Sequence, residues 1–209
     1  MPTTTQTNSN RKLVLSDILE QRAYERIRET RRAEIIELKR RRRISLGTII
    51  TVMFENRATM QSQIQEMLRV ERVVSDEGVL EELKAYNPLI PEAGQLCATV
   101  FIELVTDDQM REWLTKLVDI EKSIAIKLSN GEVVKAIVDE AHAEQLTRET
   151  VTAAVHYIRF EFTSQQVEEF AKGDVQVIST LPNYLETAQL ADFTVAELLT
   201  DLREVTPES

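Results

Sequence analysis

Apolar residues along this chain change spacing several times, from the helical period to alternation and back. Most changes fall beside a residue that starts or stops such an element. Ser16 suits the cap of a helix carrying Ile18, Leu19, Ala23 and Ile27 on one side, and Thr30 opens a second with Ile35, Ile36 and Leu38 as its stripe. Five basic residues, Lys39, Arg40, Arg41, Arg42 and Arg43, fill its last turn, where cations complement the helix dipole. Ile44 to Phe54 then reads as β structure broken at Gly47. The helical period returns from Arg57 to Val74, with Asn56 as cap and Met60, Ile64, Met67 and Leu68 on one face. A shorter helix from Asp76 to about Ala85 stops at Asn87-Pro88, and Pro88 to Gln95 reads as a short linker.

The second half alternates strands with capped helices. Cys97 to Val105 reads as a strand, and Thr106 to Gln109 has the capping-box spacing for a helix through about Val118. Ser123–Leu128 and Val133–Val138 flank Asn130-Gly131, which predicts a hairpin closed by a type I′ turn. Val151 to Phe162 reads as a long strand, and Thr163-x-x-Gln166 caps a helix that Gly173 ends. Asp174 to Ile178 and Leu185 to Leu190 are further strands, before Thr194-x-x-Glu197 caps a last helix to about Arg203. Tight hairpins need antiparallel neighbours, so the fold class expected is α+β: a mainly antiparallel sheet with helices packed on it, preceded by a helix-rich N-terminal third. The expected division is a disordered tail over residues 1–12, a helix-rich part over 13–95 with a β segment near 44–54, and an α+β part over 96–205 that forms one domain with the preceding segment.

Charge adds polarity to this pattern. Residues 1–43 hold 12 Lys/Arg against 6 Asp/Glu, whereas the remainder holds 13 against 29. The basic run Lys39–Arg43 is therefore a candidate contact for an anion or a partner, or for the chain's own acidic part. Nucleic acid is the third choice for it, since the chain is acidic overall, only 5% aromatic, and carries no recognised nucleic-acid motif. No apolar run approaches the roughly 20 residues of a membrane span, so no membrane partner is expected. The lone Cys97 excludes an internal disulfide and suits a reducing, cytoplasmic setting.

Few residues suggest chemistry. Asp139-Glu140-Ala141-His142 spells a helicase box, but no phosphate-binding loop accompanies it, so that function is discarded. His142 with Asp139, Glu140 and Glu144 lacks the second histidine segment of a di-iron site, and neither a metal nor another cofactor is expected. His156 shares an alternating face with Ala154, Ile158, Phe160 and Phe162, as a core histidine or as an acid–base group in a pocket would. Arg159 takes the other face with Tyr157 and Glu161. Glu55 and Arg57 suit a brace at a strand-to-helix corner, and Gln65 and Arg69 lie on the polar side of the following helix. The candidate ligand pocket is accordingly Glu55, Arg57, Gln65, Arg69, His156 and Arg159.

Five ordered blocks carry a family resemblance: Lys39-Arg40-Arg41-Arg42-Arg43, Phe54-Glu55-Asn56-Arg57, Gln63 to Arg69, Tyr86-Asn87-Pro88-Leu89-Ile90-Pro91 and Val155 to Phe160. Over roughly Leu13 to Leu202 the chain resembles the bacterial family termed Domain of Unknown Function 3501, which transfers no catalytic role to any position. The resemblance implies a redox or peroxide-defence setting with a protein partner there. The chain's own ligand inventory does not suit an iron–sulfur cluster. The expected function is an accessory or interaction protein of that setting. An enzyme or small-ligand-binding protein with a pocket around His156, Arg159, Glu55 and Arg57 is the alternative, and nucleic-acid binding through Lys39–Arg43 the third.

Overall fold

The computed structural model describes residues 11–138 and 152–203, so the expected tail lies outside it except for Arg11 and Lys12. Among the described residues the fold is α+β, with strands in two antiparallel sheets. The first sheet has the order β1 (Arg43–Leu46), β2 (Ile50–Glu55), β3 (Gln95–Ile102), β7 (Val155–Glu161) and β6 (Ile137–Val138). The second has the order β5 (Val133–Lys135), β4 (Ile124–Lys127), β8 (Gln176–Leu181) and β9 (Tyr184–Gln189). Seven α-helices accompany them among the described residues: α1 (Gln21–Arg42), α2 (Arg57–Glu71), α3 (Asp76–Tyr86), α4 (Asp107–Lys116), α5 (Ile120–Ser123), α6 (Ser164–Phe170) and α7 (Asp192–Leu202). None of these helices is long and apolar enough to cross a membrane.

Alternation decides what each sheet buries. The inner face of the first sheet presents Ile44, Val52, Phe54, Ala98, Val100, Ile158 and Phe160, in matching register across four strands. These residues join Ile124 and Ile126 of β4, Val177 of β8, Phe170 of α6 and Leu198 of α7 in one continuous core. β1 lies against β8 and β9, and β5 passes through Ala136 straight into β6, so the two sheets enclose that core between them. A second, smaller cluster lies outside it, with Leu13, Met60, Ile64, Leu68, Leu83 and Ile90 packing helices α2 and α3 together.

Tyr184 fastens the two sheets. Its hydroxyl donates to the Leu46 carbonyl at 2.7 Å and accepts from the Ile49 amide at 3.3 Å, so a side chain of β9 closes the β1–β2 turn. The turn passes through Gly47 at φ +67°, where a Cβ would collide with that hydroxyl. Glycine is needed there for both reasons.

The structure differs from the pattern-based expectations in four places. First, Ser16 caps no α-helix and Thr30 opens no second one. Ile18 and Leu19 precede α1, and Gln65 holds both backbone groups of Leu19. The 22 residues of α1 then run unbroken through Thr30, whose neighbours are helix formers laced by pairs such as Arg31–Glu34 at 3.3 Å. Second, the Asn130-Gly131 turn is not type I′, since only Gly131 has positive φ (+87°). The Gly131 amide bonds to the Leu128 carbonyl at 2.9 Å and the Leu128 amide to the Glu132 carbonyl at 2.8 Å, the geometry of a type I turn followed by a left-handed glycine. Third, Val133–Val138 is not one strand: it changes sheets at Ala136. Fourth, α7 begins at Asp192, placing Thr194 inside the helix and 2% exposed instead of at its cap. The caps at Asn56, Thr106 and Thr163 form as expected.

Candidate functional site

The basic run occupies the last turn of α1 and the first residue of β1, and most of it is answered by carboxylates. Arg42 is wholly buried. Its Nε donates to the Phe54 carbonyl at 2.9 Å, Nη2 to the Glu55 carbonyl at 3.2 Å, and Nη1 to Glu197 at 3.0 Å, while Nη2 also pairs with Asp201. Burial raises the Asp201 carboxyl above its ordinary value, and the Arg42 charge opposes that rise. Arg41 meets Glu197 at 3.5 Å, Arg40 meets Glu37 at 2.8 Å, and Arg43 lies 3.9 Å from Glu103 and over the Phe101 ring. Lys39 has no ion pair among the described residues. One member of the run is thus a core residue joining α1 to α7.

The six residues of the expected pocket do not share a cavity. His156 and Arg159 lie on opposite faces of β7, because they are three residues apart on an alternating strand. His156 is 2% exposed, beside α5. Its Nε2 lies 2.8 Å from Thr152 Oγ1 and 2.9 Å from the Ala153 carbonyl; a carbonyl only accepts, so this nitrogen bears a hydrogen. Its Nδ1 is 3.7 Å from Glu121 Oε2, which is itself buried and lacks a hydrogen-bond partner. Burial lowers the imidazole's affinity for a second proton, partly offset by Glu121. Arg57 does not brace Glu55 but pairs with Asp17 at 2.6 Å, while Glu55 accepts from Thr99 Oγ1 at 2.8 Å. Gln65 clasps the backbone of Leu19 at 2.8 and 3.1 Å, and Arg69 pairs with Glu25 at 2.5 Å. Both hold α2 against α1 and the residues before it, a contact that Glu66 completes by accepting from Tyr24 at 2.7 Å and from Arg28 at 2.8 and 2.9 Å. The carboxylates and histidine of 139–144 lie outside the described residues. Among those described, no three His, Cys, Asp or Glu side chains converge to hold a metal.

A different cavity forms where α3 packs over the outer face of the first sheet. The outer face of the first sheet carries Thr51, Met53, Glu55, Cys97, Thr99, Tyr157 and Arg159. Over its β7 side stand the last turn of α3 and the turn after it, leaving a cleft of about 310 Å³. Met67, Ala85, Pro88, Leu89 and Ile137 give it apolar walls; Glu82, Tyr86, Tyr157, Arg159 and Cys97 give it polar groups. Three of the five resemblance blocks meet here, and Glu55 of a fourth stands directly across β2–β3 from Cys97.

The electrostatics of the cleft are uneven. Arg159 is paired with Glu161 at 3.1 Å. The Glu82 carboxyl is raised by burial and then by Glu71 and Glu81, both of the same charge. Burial pushes the Cys97 thiol up to about 11, and the Tyr157 phenol upward as well. Glu55 is 5% exposed, and its Oε2 has no hydrogen-bond partner. A thiol so raised is protonated near neutrality and is a poor nucleophile, so the arrangement suits holding a molecule better than attacking one.

Of the six expected residues, Arg159 alone lines this cleft. Sequence reasoning does not gather Tyr86, Tyr157, Glu82 and Cys97 into one group. Tyr157 and Arg159 share a face by strand alternation, which the sequence discloses; that the end of α3 covers this face is set by the docking of α3, for which no spacing rule exists.

No curated protein matches the chain. A crystal structure titled as a novel protein of unknown function from Burkholderia pseudomallei is similar over 91% of this chain and 99% of its own, at 34% identity and a TM-score of 0.82. The family model described as "Protein of unknown function (DUF3501)" matches residues 12–202, and the chain belongs to that family.

Proposed function

We propose that this chain is a small-molecule-binding protein that takes its ligand into the cleft between α3 and the outer face of the first sheet, and acts as an accessory component in a bacterial cytoplasm. The observation that carries the reading is the cleft itself: about 310 Å³, apolar walls from three helical or turn segments, and a few polar groups on the sheet that forms its floor. The test is a fragment screen by NMR on the whole chain, following the amides of Tyr86 and Tyr157. Saturable shifts at both, abolished by filling the cleft with Ala85→Trp, are the expected result. Shifts that survive that substitution, or none from any fragment, would refute it.

The second reading is docking of a protein partner belonging to the redox or peroxide-defence setting that the resemblance implies. It is favoured by α1, whose 22 residues bury only Tyr24 and Arg42 and leave Ile36 64% exposed. In this reading the chain itself does no redox chemistry, which its buried, protonated Cys97 thiol supports. A pull-down under reducing conditions should recover a specific partner that Ile36→Glu releases; recovery unaffected by that change would count against α1.

A further inference from the structure

Of the charged residues at the cleft and directly beside it, those left unanswered are carboxylates. Arg159, its guanidinium, already has Glu161 at 3.1 Å. Glu82 has no hydrogen bond or ion pair among the described residues, and its surroundings add Glu71 and Glu81. Glu55 is the more telling group. One of its oxygens is satisfied by Thr99, and the other is buried without a partner. A buried carboxylate oxygen left unbonded forfeits its hydration with nothing in return, so such groups are rare and call for an explanation. Glu55 faces Cys97 in register, and Thr99, which it binds, faces Tyr157 in register. Cys97 and Tyr157 both line the cleft, so Glu55, which does not itself line it, lies on the same sheet face beside two of its floor residues. Two tyrosines, Tyr86 and Tyr157, also line the cleft, and aromatic rings attract cations.

We propose that the ligand of the cleft is a small organic cation, an amine with an apolar or aromatic body, whose ammonium is held by Glu55 with Glu82 at the rim. This rests on the cleft being a ligand site, as proposed above. The amine, reaching between Cys97 and Tyr157, supplies the donor that Glu55 Oε2 lacks, while Met67, Pro88 and Leu89 cover its body. An anionic ligand would instead have to compete with Glu161 for Arg159 while lying beside two carboxylates.

The experiment is an NMR titration of the whole chain at neutral pH with three probes of nearly one shape: benzylamine, benzyl alcohol and phenylacetate. Benzylamine should bind at least about tenfold more tightly than phenylacetate, with shifts at Tyr86 and Tyr157. Glu55→Gln, which keeps the shape and removes the charge, should weaken benzylamine about tenfold or more and leave benzyl alcohol unchanged. Glu82→Gln, at a half-buried position, should weaken the amine about two- to fivefold. Phenylacetate or benzyl alcohol binding as well as benzylamine would overturn the cation assignment and leave the cleft as a ligand site. Unchanged amine affinity in both glutamine variants would do the same. No shift at the cleft from any probe would overturn both.

Discussion

Replacing Arg42 by Met should destabilise the protein more than any change elsewhere in the basic run. The side chain is fully buried and makes four bonds, two to backbone carbonyls at the end of β2 and two to carboxylates on α7. Met keeps the aliphatic volume and removes every donor. Glu197 retains Arg41, but Asp201, whose carboxyl burial already raises, loses the cation that opposes burial. Breaking a buried pair by removing one partner costs about 3–5 kcal/mol, and we expect a loss in that range. For a chain of this size that corresponds to a fall in Tm of about 6–20 °C. The folded-state carboxyl of Asp201 lies above its unfolded value, so the folded state holds a proton there more tightly, and loss of Arg42 strengthens that preference. The deficit of Arg42→Met should therefore be largest near neutrality and shrink as the pH falls. Urea unfolding followed by the single Trp113 gives the free energy, and a double variant with Asp201→Asn should recover at least about 1 kcal/mol relative to additivity. An Arg42→Met protein within about 1 kcal/mol of the parent at pH 7 would refute the reasoning, because it would mean that this guanidinium behaves like an exposed one.

Three further outcomes follow from the same geometry. Tyr184→Phe leaves the Leu46 carbonyl and Ile49 amide without their partner, and should cost about 1–3 kcal/mol in urea unfolding, whereas an exposed tyrosine would cost almost nothing. Native Cys97 should resist iodoacetamide at pH 8, since a thiol near 11 is about one part in a thousand thiolate there; reaction at the rate of a free cysteine would contradict the buried floor of the cleft. His156 has its folded pKa below the ordinary 6.5, so the unfolded chain binds the extra proton better; stability should be intact above that value and decline as the pH falls below it, the slope flattening in His156→Asn. An imidazole that NMR finds titrating at or above 6.5 in the folded protein would contradict this.

Local chemistry was sufficient wherever a single turn of chain decides the outcome. The caps at Asn56, Thr106 and Thr163 and the β break at Gly47 each depend on residues within a few positions of one another, and the sequence discloses them; the α+β class follows from the order of the elements so marked. It also placed His156 among apolar neighbours and Arg159 on the opposite face, a division that alternation enforces. Where two nearby signals competed, the backbone settled on one of them. A continuous helix runs over Thr30, and a left-handed glycine follows a type I turn at Gly131. At the last helix, α7 starts at Asp192, two residues before Thr194, although Thr194 and Glu197 have the spacing of a capping box.

Periodicity and caps establish most elements, their order and the face each strand turns inward, because these depend on residues within a turn or two of chain. Two features that matter for stability and function come from packing instead. Arg42 is indistinguishable in sequence from its basic neighbours, yet the way α1 meets α7 buries it against Glu197 and Asp201 and leaves Arg40 exposed. The cleft likewise joins residues from α2, α3, β3, β6 and β7, separated by up to 92 positions between Met67 and Arg159. Side chains that far apart meet only through the packing of one layer on another, and packing depends on the shapes of both surfaces at once, which no local pattern encodes.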